Sequence, residues 1–286
     1  MPSKKKQFNV KETMKAAAEI RKGVLRALAA AGSGHIGGSM SLAEMLAVLY
    51  TDVLNVDPSR PDMPDRDYVV LSKGHCGPAL YSTLAYKGYF PAEELLTLNK
   101  GGTSLPSHCD RLKTTGIDIS TGSLGQGISL ATGVAMGKKI QGIPGTVYVI
   151  VGDGELQEGQ NWEALMFIAH HRLSNIVVIV DNNRRQLDGY TADICGEEDL
   201  KAKFEAFGFE TVRTDGHDVT ALYEAFTKAS ECGAPAAVIC DTIKGHGCPL
   251  SEIDGFNHYM PVSAEDAEAA IKEIDRRLEV AYEHIA

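Results

Sequence analysis

A parallel β-sheet covered by helices on both faces, an α/β fold, is what this sequence predicts. Two observations carry that reading. The runs "TVYVIV" (146–151), "NIVVIV" (175–180) and "AAVICDTI" (236–243) are too continuously apolar for strands with one wet face. Segments of helical length and period separate them, and that alternation is the signature of a doubly covered parallel sheet.

In chain order, an alanine-rich helix runs from Val10 to Ala31. The glycine loop "GSGHIGGSM" (32–40) and a second helix, "SLAEMLAVLYTDVL" (41–54), follow. Pro58, Pro61 and Pro64 make 55–66 a loop. "DYVVLS" (67–72) reads as a short strand, and "SKGHCG" (72–77) as the turn leaving it. Helical segments continue to about Leu98, then a loop rich in Gly, Ser and Thr to about Ile119. From Leu124 the alternation is regular: helix 124–140, strand 146–151, helix 161–173, strand 175–180, helix 197–208, strand 209–214, helix 219–230 and strand 236–243. A last helix starts at the cap "SAED" on Ser263 and sets Ile271, Ile274, Leu278 and Ala281 on one side. No repeat or linker divides the chain, so 1–286 reads as one α/β domain.

Composition limits the function. The chain has 286 residues, 44% of them apolar, with a net charge of −10 and a pI near 5.4. That acidity disfavours nucleic acid and anionic membranes as partners, since both call for a basic field. No apolar stretch approaches the length of a membrane span, and "MPSKKKQFNVKETMK" lacks the apolar centre of a secretory signal. Six cysteines (76, 109, 195, 232, 240, 248) show no C-x-x-C spacing and read as reduced thiols of a cytoplasmic protein.

Ligands of open α/β sheets sit beyond the carboxyl ends of the strands. In "VGDGELQEG" (151–159) an apolar strand stops at Asp153; thirty residues on, "DNN" (181–183) ends the next strand and brings Asn183. A carboxylate and an amide oxygen are hard ligands suited to Mg²⁺ or Ca²⁺. Gly152 and Gly154 let a diphosphate approach the main chain, and the helix after Glu158 turns its positive end to the same charge. Either motif alone is an ordinary turn. Paired at two strand ends with a helix between, they read as one clamp for a metal and a diphosphate.

These motifs resemble those of the thiamine-diphosphate enzymes, and more closely the N-terminal, diphosphate-binding part of transketolase. "SGHIGG" (33–38), "LSKGH" (71–75), "TGSLGQG" (121–127), "GDGELQEG" (152–159), "DNNRRQLDG" (181–189) and "DGHD" (215–218) fall in family order. The resemblance implies a thiamine-diphosphate-binding fold, with Mg²⁺ (or Ca²⁺ or Mn²⁺) held by Asp153, Asn183 and the main-chain carbonyl of Arg185. It implies cofactor contacts at Gly122, Leu124, Gly154, Asn183 and His75, and at Glu158 a buried acid coupling the two cofactor sites of a dimer. It implies a substrate channel lined by His35, His75, His108 and His258, with His246 in "KGHG" as the rival of His258. "SHCD" lacks the proline the family carries after the third histidine, and Ile36 stands where full-length members commonly have proline. Neutral imidazoles suit such a channel, because they hold sugar hydroxyls and exchange protons with them near neutral pH.

The expected reaction is transfer of a two-carbon ketol unit from a ketose, or its phosphate, to an aldose. The family's pyrimidine-binding and C-terminal domains find no counterpart after "EVAYEHIA", so a second subunit carrying them, in an α₂β₂ assembly, is expected. A 1-deoxyxylulose-5-phosphate synthase, a 2-oxoacid decarboxylase or dehydrogenase subunit, and a non-catalytic binding subunit are the competing readings. Three decoys carry less. "GSGHIG" (32–37) fits the dinucleotide glycine pattern, but a helix precedes it instead of a strand. His75–Cys76 and His108–Cys109 lack zinc-ligand spacing. His170, His171, His217 and His284 read as solvated or capping residues.

Overall fold

A computed structural model describes residues 8–196 and 199–285. Helix α1 (Val10–Ala31) begins where the Asn9 side chain accepts the Glu12 N–H and ends at Gly32, whose φ of 84° closes the last turn. The chain then makes a two-residue strand, β1 (Ser33–Gly34), and one helical turn, α2 (Gly37–Met40), where the sequence suggested only a loop. Helix α3 (Ala43–Val48) covers the first half of the second predicted helix; Leu49–Val53 widens into a π-helical turn. Next come β2 (Tyr68–Leu71), α4 (Gly77–Lys87), α5 (Gln126–Gln141), β3 (Val147–Gly152), α6 (Gly159–His170) and β4 (Ile176–Asn182). After a short helix α7 (Thr191–Cys195) that the sequence did not suggest, the order is α8 (Leu200–Ala206), β5 (Glu210–Asp215), α9 (Val219–Glu231), β6 (Ala236–Asp241), β7 (Met260–Pro261) and α10 (Ala264–Glu283). The start placed for α8 at Glu197 lies outside the described residues, as does the N-terminal basic segment to Gln7.

Strands β2, β3, β4, β6 and β5, in that spatial order, form one parallel sheet. Alternate residues enter two separate cores, as the two-residue period of a strand dictates. Tyr148, Ile150, Val177, Ile179 and Val238 pack with α1, α3, α4, α9 and α10. Val149, Val151, Val178, Val180 and Ile239 pack with α5, α6 and α8. The predicted α/β architecture is therefore the observed one. Helix α10 starts at Ser263, whose Oγ accepts the Asp266 N–H at 3.0 Å, and buries Ala267, Ala270 and Ile274. No helix among the described residues is long and apolar enough to cross a membrane.

Two features position the site. Gly152 of β3 pairs with Asp181 of β4, so the ladder sets Asp153 beside the end of β4. Away from this sheet, β1 and β7 pair antiparallel, Ser33 opposite Pro261 and Gly34 opposite Met260. This small clasp brings together residues more than 220 positions apart.

Candidate active site

The carboxyl ends of β2, β3 and β4 open into a cavity of about 420 Å³. At its floor Asp181 is fully buried. A carboxylate there needs a cation and donors, and it has them. It forms an ion pair with buried Lys73 and accepts Ser41 Oγ at 2.8 Å, Thr242 Oγ1 at 2.5 Å and Asn183 Nδ2 at 2.9 Å. Burial would raise its carboxyl, but Lys73 and these donors hold it below the usual range. Burial would likewise lower Lys73, and Asp181 outweighs it in the opposite direction. Lys73 and Asp181 are thus both charged.

This pair orients the metal-type ligands. With Nδ2 of Asn183 committed to Asp181, its Oδ1 is the acceptor left, and it takes the Arg185 N–H at 3.0 Å. Arg184, at φ +61°, reverses the chain there. Asp153 Oδ2 accepts Thr191 Oγ1 at 3.2 Å, while Oδ1 is buried with no hydrogen-bond partner among the described residues. Burial and the neighbouring Asp181 charge push the Asp153 carboxyl up to about 6. An orphaned carboxylate oxygen, an amide oxygen and the Arg185 main chain fit a hard divalent cation, which would relieve the burial cost at Asp153. Gly154 lines the same cavity; a Cβ there would lie 2.8 Å from Gln186 Cβ, so the 184–190 turn can seat only against glycine.

Glu155 and Glu158 stand differently in the single chain. Glu158 lines the cavity but is exposed in the single chain, because it caps α6 at the surface; any burial of it has to come from another chain. Glu155 is buried within the chain. It accepts Ser72 Oγ at 2.5 Å, Gly125 N at 2.9 Å and Gly152 N at 3.1 Å, and so ties the ends of β2 and β3 to the start of α5. That tie sets the 122–125 turn, from which Gly122 and Leu124 line the cavity.

At the opposite end the four histidines come together. His35 lies 5.2 Å from His75, 5.8 Å from His108 and 5.2 Å from His258 between ring centroids, and His75 lies 5.0 Å from His258. His35 follows β1 and His258 precedes β7, so the β1–β7 clasp registers this pair. His108 stands over Gly122, and His75 sits in the 3-10 turn after β2. Burial, joined by His108 and Lys244, lowers His35 to about 4; burial, Lys244 and His35 lower His258 to about 3. Burial and then Lys73 hold His75 well below its ordinary value, and burial lowers His108. All four are neutral at pH 7. Lys244 Nζ lies 3.1 Å from His258 Nδ1; with Nδ1 accepting, the ring proton of His258 sits on Nε2. Burial and then Lys73 lower Lys244 itself to about 8.

His246 does not join them. It stacks on His217 at 3.7 Å and meets Glu252 Oε1 at 3.0 Å, so the structure places His258 in the cavity and His246 outside it. His217, expected as a solvated or capping residue, is half-buried and takes a main-chain N–H. Its Nε2 accepts the Ile243 N–H at 2.9 Å and its Nδ1 approaches Glu44, which Arg21 pairs at 2.6 Å. Glu44, His217 and His246 are close enough to suggest a metal site, but Arg21 already bonds both Glu44 oxygens and the Ile243 N–H occupies His217 Nε2. Cys76 and Cys109 are buried, with burial pushing their thiols up to about 11 and about 12. All six cysteines are free. Sequence reasoning missed Lys73, Asp181, Glu155 and Lys244. The available signal was a charged residue at each end of otherwise apolar strands, "VVLSK" and "VVIVD".

An orphaned carboxylate oxygen and an amide oxygen at two strand ends, facing a cluster of neutral imidazoles, have the donor set of a thiamine-diphosphate-type site on an α/β sheet. Residues 12–279 match the family "Transketolase, thiamine diphosphate binding domain", and the chain belongs to that family. It is 46% identical over 258 residues to the 6-deoxy-6-sulfo-D-fructose transketolase subunit SqwG of Clostridium sp. (strain MSTE9), covering 90% of this chain and 94% of that protein. It is 39% identical to an apulose-4-phosphate transketolase subunit from Actinobacillus succinogenes, covering 88% and 91%. Among solved structures, transketolase from Campylobacter jejuni superposes with a TM-score of 0.87 at 32% identity. The match covers 94% of this chain but 43% of that one. The Leishmania mexicana enzyme gives 0.86 at 30% identity, covering 93% and 41%. The chain therefore spans less than half the length of these full transketolases and nearly all of the two relatives named as subunits.

Proposed function

We propose that this chain, as a single diphosphate-binding domain, is the thiamine-diphosphate-binding subunit of a split transketolase. It would move a two-carbon ketol unit from a ketose to an aldose with Mg²⁺ and a second subunit that brings the pyrimidine-binding and C-terminal domains. The observation that carries this is the orphaned Asp153 Oδ1 beside Asn183, at one end of a cavity whose other end holds four neutral histidines. Asp153, Asn183 and the Arg185 carbonyl would hold the cation, with Gly154 and Glu158 beside the diphosphate and Gly122, Leu124 and His75 toward the rings. When bound, thiamine diphosphate supplies the carbon nucleophile and electron sink for breaking and making a bond next to a carbonyl. The chain's own residues hold the sugar. His258 donates from Nε2, and the neutral rings of His35, His75 and His108 take or return hydroxyl protons. Several imidazoles favour a substrate with several hydroxyls over a 2-oxoacid.

By name the two subunit relatives act on 6-deoxy-6-sulfo-D-fructose and apulose-4-phosphate, so a sulfonated or phosphorylated ketose belongs on the test panel. Thiamine diphosphate plus Mg²⁺ at about 100 times Kd should stabilise the chain, alone or with its partner, by about 2.7 kcal/mol. Asp153→Asn should abolish the shift. No Tm change in either preparation sinks the reading. Activity confined to the pair, with light scattering of an α₂β₂ assembly, extends it to the quaternary level.

A further inference from the structure

The turn that carries Asn183 and the segment that carries His258 face each other across a gap of about 260 Å³. Packing does little to hold the outer part of the second segment: residues 253–256 are exposed and form no regular structure. Its inner end is anchored by buried Asn257, whose Nδ2 donates to the Lys244 and Ser251 carbonyls and whose carbonyl accepts the Gly37 N–H. Two side chains of the turn, Arg185 and Tyr190, span the gap at the outer end. Arg185 donates from Nη1 to the Gly255 carbonyl at 2.8 Å. From Nη2 it donates to Tyr190 Oη at 2.6 Å and to Asp254 Oδ1 at 2.5 Å. Tyr190 Oη donates to the same Asp254 oxygen at 2.8 Å, and the guanidinium lies over the Tyr190 ring at 4.5 Å.

The turn itself is stiff. Arg185 and Tyr190 pair as an antiparallel bridge, Gln186 N donates to the Gly189 carbonyl at 2.9 Å, and Thr191 N donates to the Arg184 carbonyl at 3.0 Å. A rigid turn therefore reaches out with a fork of charge-assisted bonds to an otherwise loose segment. The Arg185 side chain is only 18% exposed, though that of its partner Asp254 is 90% exposed.

We propose that the Arg185 side chain, oriented by Tyr190 and bonded to Asp254 and Gly255, is a positioning device that holds the His258 segment against the Asn183 turn. Its functional meaning rests on the reading above. The same residue would offer its main chain to the cation and its side chain to the His258 segment. Asp254, Tyr190 and the Arg185 side chain touch no reacting atom. They act through His258.

The test begins on the full chain with no ligand added. Amide hydrogen exchange is measured for wild type, Arg185→Met, Asp254→Asn, the double variant and Asp254→Glu. Arg60→Met, which cuts the exposed Arg60–Asp57 pair elsewhere, is the control. Amides of 254–258 should exchange about 3- to 10-fold faster in Arg185→Met and Asp254→Asn, the range expected for partly exposed charged bonds. The double variant should be no faster than either single one. The ¹⁵N signals of the His258 imidazole should move in both variants and return in Asp254→Glu. Wild-type exchange rates and an unmoved His258 signal overturn the proposal, as do fully additive effects in the double variant. With the partner subunit, Asp254→Asn should lower kcat about 5-fold or more and leave thiamine diphosphate affinity unchanged. Loss of affinity with kcat preserved counts against positioning. If wild type binds no thiamine diphosphate, the functional reading fails, while the exchange and imidazole measurements still decide the clamp.

Discussion

The two ends of the cavity are built by different means. At the cofactor end, Asp153 and Asn183 extend from neighbouring parallel strands whose register is fixed by ladder hydrogen bonds, over a buried Lys73–Asp181 pair. At the histidine end, His35 and His258 flank a two-residue clasp, and His108 rides on a long loop. The first end is placed by the fold itself. The second is placed by a two-residue main-chain clasp and by side-chain bonds laid over the sheet. Cutting the first should cost the fold, whereas cutting the second should cost chemistry or order.

The largest expected effect breaks the first end. Asp181→Ala leaves Lys73 as a buried cation without its partner and frees three further donors. Removing one member of a buried pair costs about 3–5 kcal/mol, which chemical denaturation will read. A loss below about 1 kcal/mol would mean that the cofactor end does not share the stability of the sheet.

His75→Ala probes the other end. It should unfold near wild type and bind thiamine diphosphate only modestly more weakly, since the strand-end residues Asp153 and Asn183 and the Gly122 and Leu124 contacts remain. Turnover of the two-subunit enzyme should fall by about 10²–10⁴, the usual cost of a lost proton-transfer group. Calorimetry and steady-state kinetics separate the two. Wild-type turnover makes His75 structural.

The contrast also has a pH signature. Asp153 titrates near 6 in the folded chain, above the ordinary value of 3.8. Between those values the native state binds more protons than the unfolded one, so metal-free stability falls as pH rises from about 4 to 6, then levels. The cost is roughly 3 kcal/mol for a shift of about two units. Asp153→Asn removes it and should be more stable than the metal-free wild type at pH 7, and Mg²⁺ should close that difference. Denaturation curves across pH 4–7.5 check this. A wild type that gains stability relative to Asp153→Asn across that window has the opposite sign.

The same division governs what could be read from sequence. Strands β3, β4 and β6 are continuous apolar runs, so the sheet and the strand-end residues Asp153 and Asn183 were legible locally. The Lys73–Asp181 pair was not, because its members lie 108 residues apart and neither segment names its partner. Two-residue strands made of "SG" and "MP" carry no propensity or period, so the β1–β7 clasp was invisible. With it went the means to choose His258 over His246. The partners of His217 were hidden for the same reason: Glu44 and Ile243 come from distant parts of the chain. Helix α7 is five residues long and leaves no residue buried, which gives a pattern search nothing to find.

The smallest expected effect sharpens the claim that the histidine end is held by several weak ties. Tyr259 sets its ring edge-on to His35 at 5.0 Å and its hydroxyl 2.9 Å from Ser33 Oγ, across the β1–β7 clasp. Tyr259→Phe keeps the ring and removes one hydrogen bond at an exposed position, worth about 0.5–1 kcal/mol net. The main-chain pairing of Ser33 with Pro261 and of Gly34 with Met260 remains, as do the Asn257 anchor and the Arg185 fork. Stability should therefore change by under about 1 kcal/mol and kcat by less than about 5-fold. Tyr259→Ala, which also takes away the wall beside His35, should cost more in kcat than in stability. If Tyr259→Phe alone costs about 100-fold in kcat, the Ser33–Tyr259 bond is the principal tie and the redundancy inferred for this end is wrong. If neither variant moves kcat, His35 is held from the α2 side, where Ser39 Oγ already bonds its carbonyl at 2.7 Å, and the clasp only closes the chain.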